Sequence, residues 1–129
     1  MILDFGSFKM VRISFLTKAK ILKKEFTICL KNTDEPIGRI YISSINDHYD
    51  SLDISRIYVA DPNNRGKGYG EEALRLALKW AFEKMNVERV TLDHFSDNVI
   101  ANSLYKKVGL NNNSIYGKLC TSYFLHKNI

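Results

Sequence analysis

Cysteine is scarce in this chain of 129 residues, and its two examples, Cys29 and Cys120, lie far apart without a metal-ligand spacing. Cysteines placed in this way usually serve as small buried apolar side chains, so neither is assigned a chemical role. Long apolar runs are also missing, because no window approaches the roughly 18 apolar residues of a membrane span. The first stretch, MILDFGSFKMVRISFLTKAK, lacks the basic segment and apolar run of a secretion signal. These absences favour a soluble cytoplasmic protein with no membrane partner.

The sequence also lacks repeats, low-complexity tracts and linker-like segments. With 45% hydrophobic residues, positions 1–129 are enough for one domain with a core and too few for two, so we predict a single domain. The formal net charge of +5 suits an anionic ligand, an acidic partner or simple solubility. Basic and aromatic residues are not interleaved as in nucleic-acid-binding modules, so nucleic acid is not an expected partner.

Runs of β-branched and aromatic residues predict strands first, at 8–17, 26–31, 37–45 and 52–60. The apolar phase slips in the fourth strand, because Leu52 and Ile54 alternate while Ile57 and Val59 have the other parity. One extra residue, a β-bulge, explains this slip. The rest of the chain predicts a helix around 74–85, a strand at 87–93, a helix around 100–108 that stops at Gly109, and two final strands.

A glycine-rich stretch, PNNRGKGYGEEA at 62–73, joins the fourth predicted strand to the first predicted helix. At the N-terminus of a helix, the free N–H groups and the positive end of the helix dipole both favour a bound anion. Glycines let that anion approach the backbone closely. The stretch therefore predicts a phosphate cradle. The P-loop pattern and the dinucleotide fingerprint GxGxxG are both unmet, which leaves the pattern Arg65-x-x-Gly68-x-Gly70.

This pattern, preceded by VADP, resembles the pyrophosphate-binding motif of the GNAT family of acetyl-CoA-dependent N-acetyltransferases. A second segment at 98–110, NVIANSLYKKVGL, is similar to the family's N-x-x-A-x-x-L-Y-x-x-x-G-F motif, with Leu110 in place of the phenylalanine. The resemblance implies an α/β (α+β) fold with a mixed, mostly antiparallel sheet of about six or seven strands. It further implies a V-shaped splay after the fourth strand, flanking helices, and N-terminal helices that are reduced here.

The resemblance also implies how acetyl-CoA is held. Backbone groups of Tyr58, Val59 and Ala60 would pair with the pantetheine arm as an added strand, and Asn98 would hydrogen-bond the same arm. Arg65 and Lys67 would raise the local positive potential. Backbone N–H groups would bind the pyrophosphate along a run that comprises Gly66, Lys67, Gly68, Tyr69, Gly70 and Glu71.

The same resemblance implies catalytic roles for two residues. Tyr105 is the expected general acid that protonates the departing thiolate, and Asp93 is the expected general base that takes a proton from the amine. His94 is an alternative base, although strand alternation turns it to the opposite face from Asp93. Simpler interpretations remain open, with Asn98 as a plain helix cap, Tyr105 as a core aromatic and Asp93 as a solvated carboxylate. The implied reaction is direct transfer in a ternary complex without a metal.

The acceptor side is less well defined by the sequence. Family members usually have two helices between their first two strands, whereas about eight residues, LTKAKILK, stand there in this chain. The acceptor is therefore an unidentified amine, and an acyl-CoA-binding regulatory or interaction module is the alternative to an enzyme. Either a second copy completes the acceptor wall, through a strand contact of the tail aromatics Tyr116, Tyr123 and Phe124, or the channel stays open to a large acceptor such as a protein segment. Light scattering across a dilution series, read beside specific activity, distinguishes the homodimer from the open channel.

Overall fold

The structure is a computed structural model, and it describes the backbone of residues 2–3, 10–15, 24–46, 51–95, 98–109, 111–116 and 119–125. Side chains are described within 10–13, 25–43, 51–94 and 98–109. Residues 16–23, which stand where the resemblance would place two helices, lie outside the described residues.

The described residues contain eight strands: β1 (Ile2–Leu3), β2 (Val11–Phe15), β3 (Lys24–Leu30), β4 (Pro36–Asn46), β5 (Ser51–Val59), β6 (Arg89–Phe95), β7 (Asn111–Tyr116) and β8 (Leu119–Leu125). They form one sheet in the order β1-β2-β3-β4-β5-β6-β8-β7. The β5–β6 pair is parallel, and the other neighbours are antiparallel. Because β5 and β6 run in the same direction, a crossover must connect them, and the glycine-rich turn and first helix provide it.

Helix α1 (Tyr69–Glu83) and helix α2 (Val99–Val108) pack into one hydrophobic cluster with the sheet. A short 3₁₀ turn, Pro62–Asn64, precedes α1. The apolar face of α1 lies on the sheet, and the rings of Trp80 and Phe26 meet edge to face at 4.9 Å between centroids. The smaller α2 buries Ala101, Tyr105 and Val108 against the same core.

The two faces of the sheet differ in character. Residues that alternate along β2 to β6 are fully buried on the helix side, for example Ile13, Ile28, Ile42, Ile54 and Leu92. Residues between them point to the other face, as strand alternation requires. That second face is polar and partly exposed, with side chains that include Arg12, Arg39, Asp53, Thr91 and Asp93.

The predicted mixed, mostly antiparallel sheet with helices is confirmed. The predicted number of six or seven strands is lower than the observed number, because it does not include the two-residue β1, which lies ahead of the first predicted strand. Both tail strands are present, but β8 is paired on both sides and β7 is the edge. A strand contact between copies at this end therefore has to involve β7, which carries Tyr116, rather than Tyr123 and Phe124 on β8. The homodimer itself stays a prediction.

Candidate active site

The sheet splits between β5 and β6. These strands pair from Ser51 opposite Arg89 to Ile54 opposite Leu92. Beyond that point β5 continues along β4, and β6 continues along β8. This is the V-shaped splay that the resemblance implies after the fourth predicted strand, and it leaves a gap lined by two strand edges.

Two features of β4 and β5 explain why the split opens here. Ser55 has no partner in the ladder, because Ile54 lies opposite Ile42 and Arg56 lies opposite Tyr41. This is the predicted bulge, and a bulge bends the strand that carries it. Farther along, a Cβ atom on Gly38 would overlap the backbone carbonyl of Tyr58. The bare Gly38 thus lets β5 lie tightly on β4 as it turns away from β6.

The N-terminus of α1 lies at the end of the turn that leaves β5. Its N-cap residue is Gly68, which has no side chain to cap the first N–H groups, whereas the Asn98 side chain caps α2. The first backbone bond of α1 runs from Glu72 N–H to the Gly68 carbonyl at 3.1 Å. The N–H groups of Tyr69, Gly70 and Glu71 therefore precede the intrahelical ladder and are oriented as an anion site requires.

The three glycines of this turn differ in what requires them. Gly66 and Gly68 have positive φ values of 75° and 86°, which other residues rarely adopt. Gly70 has no such φ, and a Cβ built there would meet nothing within 4 Å. Neither conformation nor packing in the described structure explains a glycine at position 70, and glycine within a helix costs about 0.5–1 kcal/mol relative to alanine. A ligand that approaches this backbone would explain it, so the residues present fit the phosphates of CoA.

The residues predicted to hold the pantetheine arm do not all face the gap. The Ala60 N–H donates to the Ile37 carbonyl of β4 at 2.8 Å. Alternation along an antiparallel ladder then turns the backbone groups of Val59 to the other edge, toward the gap. The Val59 carbonyl accepts a hydrogen bond from Arg65 Nε at 3.1 Å, which fixes the predicted cationic side chain beside the gap. The Tyr58 ring lies parallel to that of Tyr41, with centroids 6.4 Å apart.

An ion-pair network joins the two helices beside the cradle. The Glu71 carboxylate lies 3.0 Å from Lys107 Nζ on α2 and 3.6 Å from Arg75 Nε. Lys107, which donates to this carboxylate, holds the pKa of Glu71 below its usual range, with a further contribution from Arg75. Lys67 is exposed in the turn. The network holds the α2 side of the site to the first turn of α1.

Helix α2 places Tyr105 next to the split. The Asn98 Oδ1 atom accepts from the Ala101 N–H at 3.1 Å, so the cap interpretation of Asn98 is correct, and its contact with the cofactor arm stays a prediction. Tyr105 is 7% exposed, and burial raises the pKa of its phenol. Its ring meets that of His94 edge to face, with centroids 5.1 Å apart. His94 is two residues beyond Leu92, where β5 and β6 part.

Asp93 and His94 lie on opposite faces of β6, as alternation predicts. Asp93 is exposed on the polar face, and His94 is buried on the helix side. Beside Asp93, the Thr91 hydroxyl donates to Asp53 Oδ1 of β5 at 2.6 Å. Burial raises the pKa of Asp53, and the nearby charge of Asp93 raises it further, against hydrogen bonds from Thr91 and Ser43 that lower it. Two carboxylates thus share the polar face just below the split.

Sequence reasoning missed Asp53, Thr91, Gly38 and Asn102. Asp53 and Thr91 meet because β5 and β6 pair in parallel register, which no local pattern reveals. A glycine inside a strand pattern is a signal of close backbone approach, and Gly38 fits it.

Within the described residues there is no group of three His, Cys, Asp or Glu side chains that could hold a metal, and no helix long and apolar enough to cross a membrane.

Residues 7–110 match the profile of the acetyltransferase (GNAT) family. The chain belongs to the GNAT acetyltransferase family. The matched region contains the split between β5 and β6, the glycine-rich turn and both helices. The resemblance noted from two short motifs is therefore confirmed over most of the chain.

Similar proteins from animals are N-acetyltransferase 9-like proteins. The chain is 41% identical over 51 residues to the one from Caenorhabditis elegans, which covers 40% of this chain and 25% of that protein. It is 33% identical over 81 residues to the one from Caenorhabditis briggsae, which covers 60% of this chain and 41% of that protein. The matched regions thus span 25% and 41% of these curated relatives, which is less than half of their length.

Solved structures show the same GNAT fold. A chimera based on the spermidine N-acetyltransferase SpeG from Vibrio cholerae superimposes with a TM-score of 0.75 at 22% identity, over 84% of this chain and 69% of that one. The Vibrio cholerae spermidine N-acetyltransferase in complex with CoA and spermine gives a TM-score of 0.74 at 22% identity, over 83% and 68% of the two chains. Identity at this level shows the fold alone.

Proposed function

We propose that this protein transfers an acetyl group from acetyl-CoA to a primary amine, by direct attack within a ternary complex. The observation that carries the proposal is the bare N-terminus of α1 beside the split, with Gly70 left open where no contact in the described structure requires a glycine. Family membership and a fold neighbour solved with CoA and spermine support the same reaction.

Each part of the chain has a proposed role in that reaction. The first N–H groups of α1 bind the pyrophosphate, and the gap-facing edge of Val59 pairs with the pantetheine arm. Acetyl-CoA supplies the activated thioester. Tyr105 holds a proton on its phenol for the leaving thiolate, and burial keeps that proton in place at neutral pH. Asp53 and Asp93 lie on the polar face of the sheet and Tyr105 packs on the helix side. In the proposed reaction, the amine therefore loses its proton on one side of the split and the thiolate receives one from the other.

The proton acceptor is proposed to be Asp93, with Asp53 as its neighbour on the same face. An ammonium has no lone pair for attack on a thioester, so a carboxylate or a water held by one must take its proton. Asp93 is exposed at the split, while Asp53 is half-buried and held by Thr91. This division makes Asp93 the more accessible group and Asp53 the better fixed one.

We expect Asp93→Asn to abolish the acidic limb of the kcat/KM pH profile, because the amide cannot accept a proton in that range. The profile is measured with acetyl-CoA and the best amine found. Asp61→Asn is the matched control, since Asp61 caps the 3₁₀ turn away from the carboxylate pair. A limb that survives Asp93→Asn and disappears in Asp53→Asn would move the role of base to Asp53.

Asp53→Asn is expected to stabilise the fold at neutral pH. The folded-state pKa of Asp53 is raised, so below its ordinary value of 3.8 the carboxyl is protonated in both states and has no effect. As the pH rises through the folded pKa, ionisation of the half-buried group costs stability. Asn avoids this cost, and solvent screening limits the gain to under about 1 kcal/mol. Urea unfolding at pH 7 and near pH 4 measures it; an equal gain at both pH values would contradict the cause assigned.

A thiol-release assay tests the proposed function itself. Acetyl-CoA is incubated with the protein and a panel of amines that includes a polyamine, free lysine and a peptide with a free N-terminus. Amine-dependent release of CoA supports the transferase. Tight CoA binding by calorimetry without release for any amine would instead support an acyl-CoA-binding module.

A further inference from the structure

His94 is a polar side chain in an apolar place. Among the described residues it is the one buried polar or charged side chain, at 8% exposure, and it stands on the helix-facing side of β6 in line with Val90 and Leu92. Burying a polar group costs free energy unless hydrogen bonds compensate for it. An apolar side chain would satisfy this position more simply, so the histidine requires another explanation.

The ring of His94 has a hydrogen-bond partner at one nitrogen and none at the other within the described residues. Its Nε2 atom lies 2.5 Å from Asn102 Oδ1 on α2. A carbonyl oxygen only accepts, so Nε2 is the donor in this hydrogen bond. The Nδ1 atom is buried and has no hydrogen-bond partner within the described part of the chain.

The same ring contacts Tyr105. Asn102 and Tyr105 are three residues apart on α2 and hence lie on one side of the helix. His94 therefore meets both at once, through the hydrogen bond to Asn102 and the edge-to-face contact with the Tyr105 ring at 5.1 Å and 73°. An imidazole held at both points restricts where the phenol can lie.

We propose that His94 and Asn102 form a polar clamp that positions Tyr105 for proton donation at the split. His94 and Asn102 are positioning residues and act through Tyr105. The clamp ties α2 to β6 directly beyond Leu92, the last β6 residue paired with β5. A hydrogen bond specifies a single orientation of the imidazole ring more strictly than apolar packing alone does. This matters because small misplacements of a catalytic group lower the reaction rate strongly. This inference rests on the proposed function.

The test uses His94→Leu and Asn102→Leu in the full chain, each with and without Tyr105→Phe. Loss of either clamp residue should lower kcat about 10-fold or more, with KM for acetyl-CoA changed less than about 3-fold. In the Tyr105→Phe background, neither change should lower kcat further. Val90→Ala, on the same face of β6, is the matched control, expected to lower stability without altering kcat.

The outcomes separate the clamp from the proposed function. If Tyr105→Phe alone leaves kcat unchanged, the proposed role of Tyr105 fails. The clamp is rejected if Tyr105→Phe lowers kcat but His94→Leu and Asn102→Leu do not. It is also rejected if the two clamp variants lower kcat equally with Tyr105 and with Phe at this position. Nitrogen-15 NMR of the imidazole gives a readout independent of activity. A proton is expected on Nε2, where it is donated to Asn102, and an Nε2 atom without a proton would also overturn the clamp.

Discussion

Tyr105→Phe is expected to lower kcat by ~10² to 10⁴, the usual contribution of one positioned proton donor, while acetyl-CoA affinity stays within a few-fold. The change removes a hydroxyl and retains the ring that packs on His94 and the core. CoA leaves less readily when no group protonates its sulfur. The change should therefore lower kcat and not the affinity for acetyl-CoA. Steady-state thiol release and calorimetry with CoA measure the two effects separately.

Packing and proton donation at Tyr105 can be separated by a core control. Val108→Ala removes apolar contacts from the same buried stripe of α2 and should destabilise the protein by about 0.5–2 kcal/mol without a comparable loss of kcat. If Tyr105→Phe leaves turnover unchanged, or lowers it no more than Val108→Ala does, Tyr105 belongs to the core alone.

Local sequence patterns predicted the parts of the site that depend on local chemistry. Gly66 and Gly68 are required by their positive φ values, and the run from Arg65 to Gly70 marks the helix N-terminus directly. The parity change between Ile54 and Ile57 revealed the bulge at Ser55, because side-chain alternation is strict on a half-buried strand. These features can be recognised within ten residues of sequence.

The parts that sequence reasoning missed depend on pairing between distant segments. Asp53 meets Thr91 across a parallel ladder, and His94 meets Asn102 across a strand and a helix. Such contacts follow from register and from how α2 lies on the sheet, neither of which a single sequence states. The hydrogen bond from the Ala60 N–H to the Ile37 carbonyl of β4 is another contact of this kind, and the pairing of Ala60 with the pantetheine arm stays a prediction.

Gly70→Ala is expected to stabilise the protein and weaken its binding of CoA. Gly70 lies in the first turn of α1, where a Cβ meets nothing in the described structure, so alanine should fit and add about 0.5–1 kcal/mol to the free energy of unfolding. The same Cβ would stand beside N–H groups proposed to hold the pyrophosphate. Loss of one charge-assisted hydrogen bond costs about 1.5–3 kcal/mol, which corresponds to CoA binding weakened on the order of 10- to 100-fold.

Opposite signs of the two effects make Gly70→Ala informative, because an ordinary structural glycine would not combine a gain in stability with a loss of binding. Urea unfolding and calorimetry with CoA and with dephosphorylated pantetheine measure both effects. Pantetheine lacks the phosphates, so its weaker binding should be nearly the same in wild type and variant. Ser103→Ala, on the exposed side of α2, is the matched control and should leave CoA affinity unchanged. A stabilised Gly70→Ala variant with undiminished CoA affinity would mean that the cradle does not hold the phosphates, and the proposed binding mode would have to be abandoned.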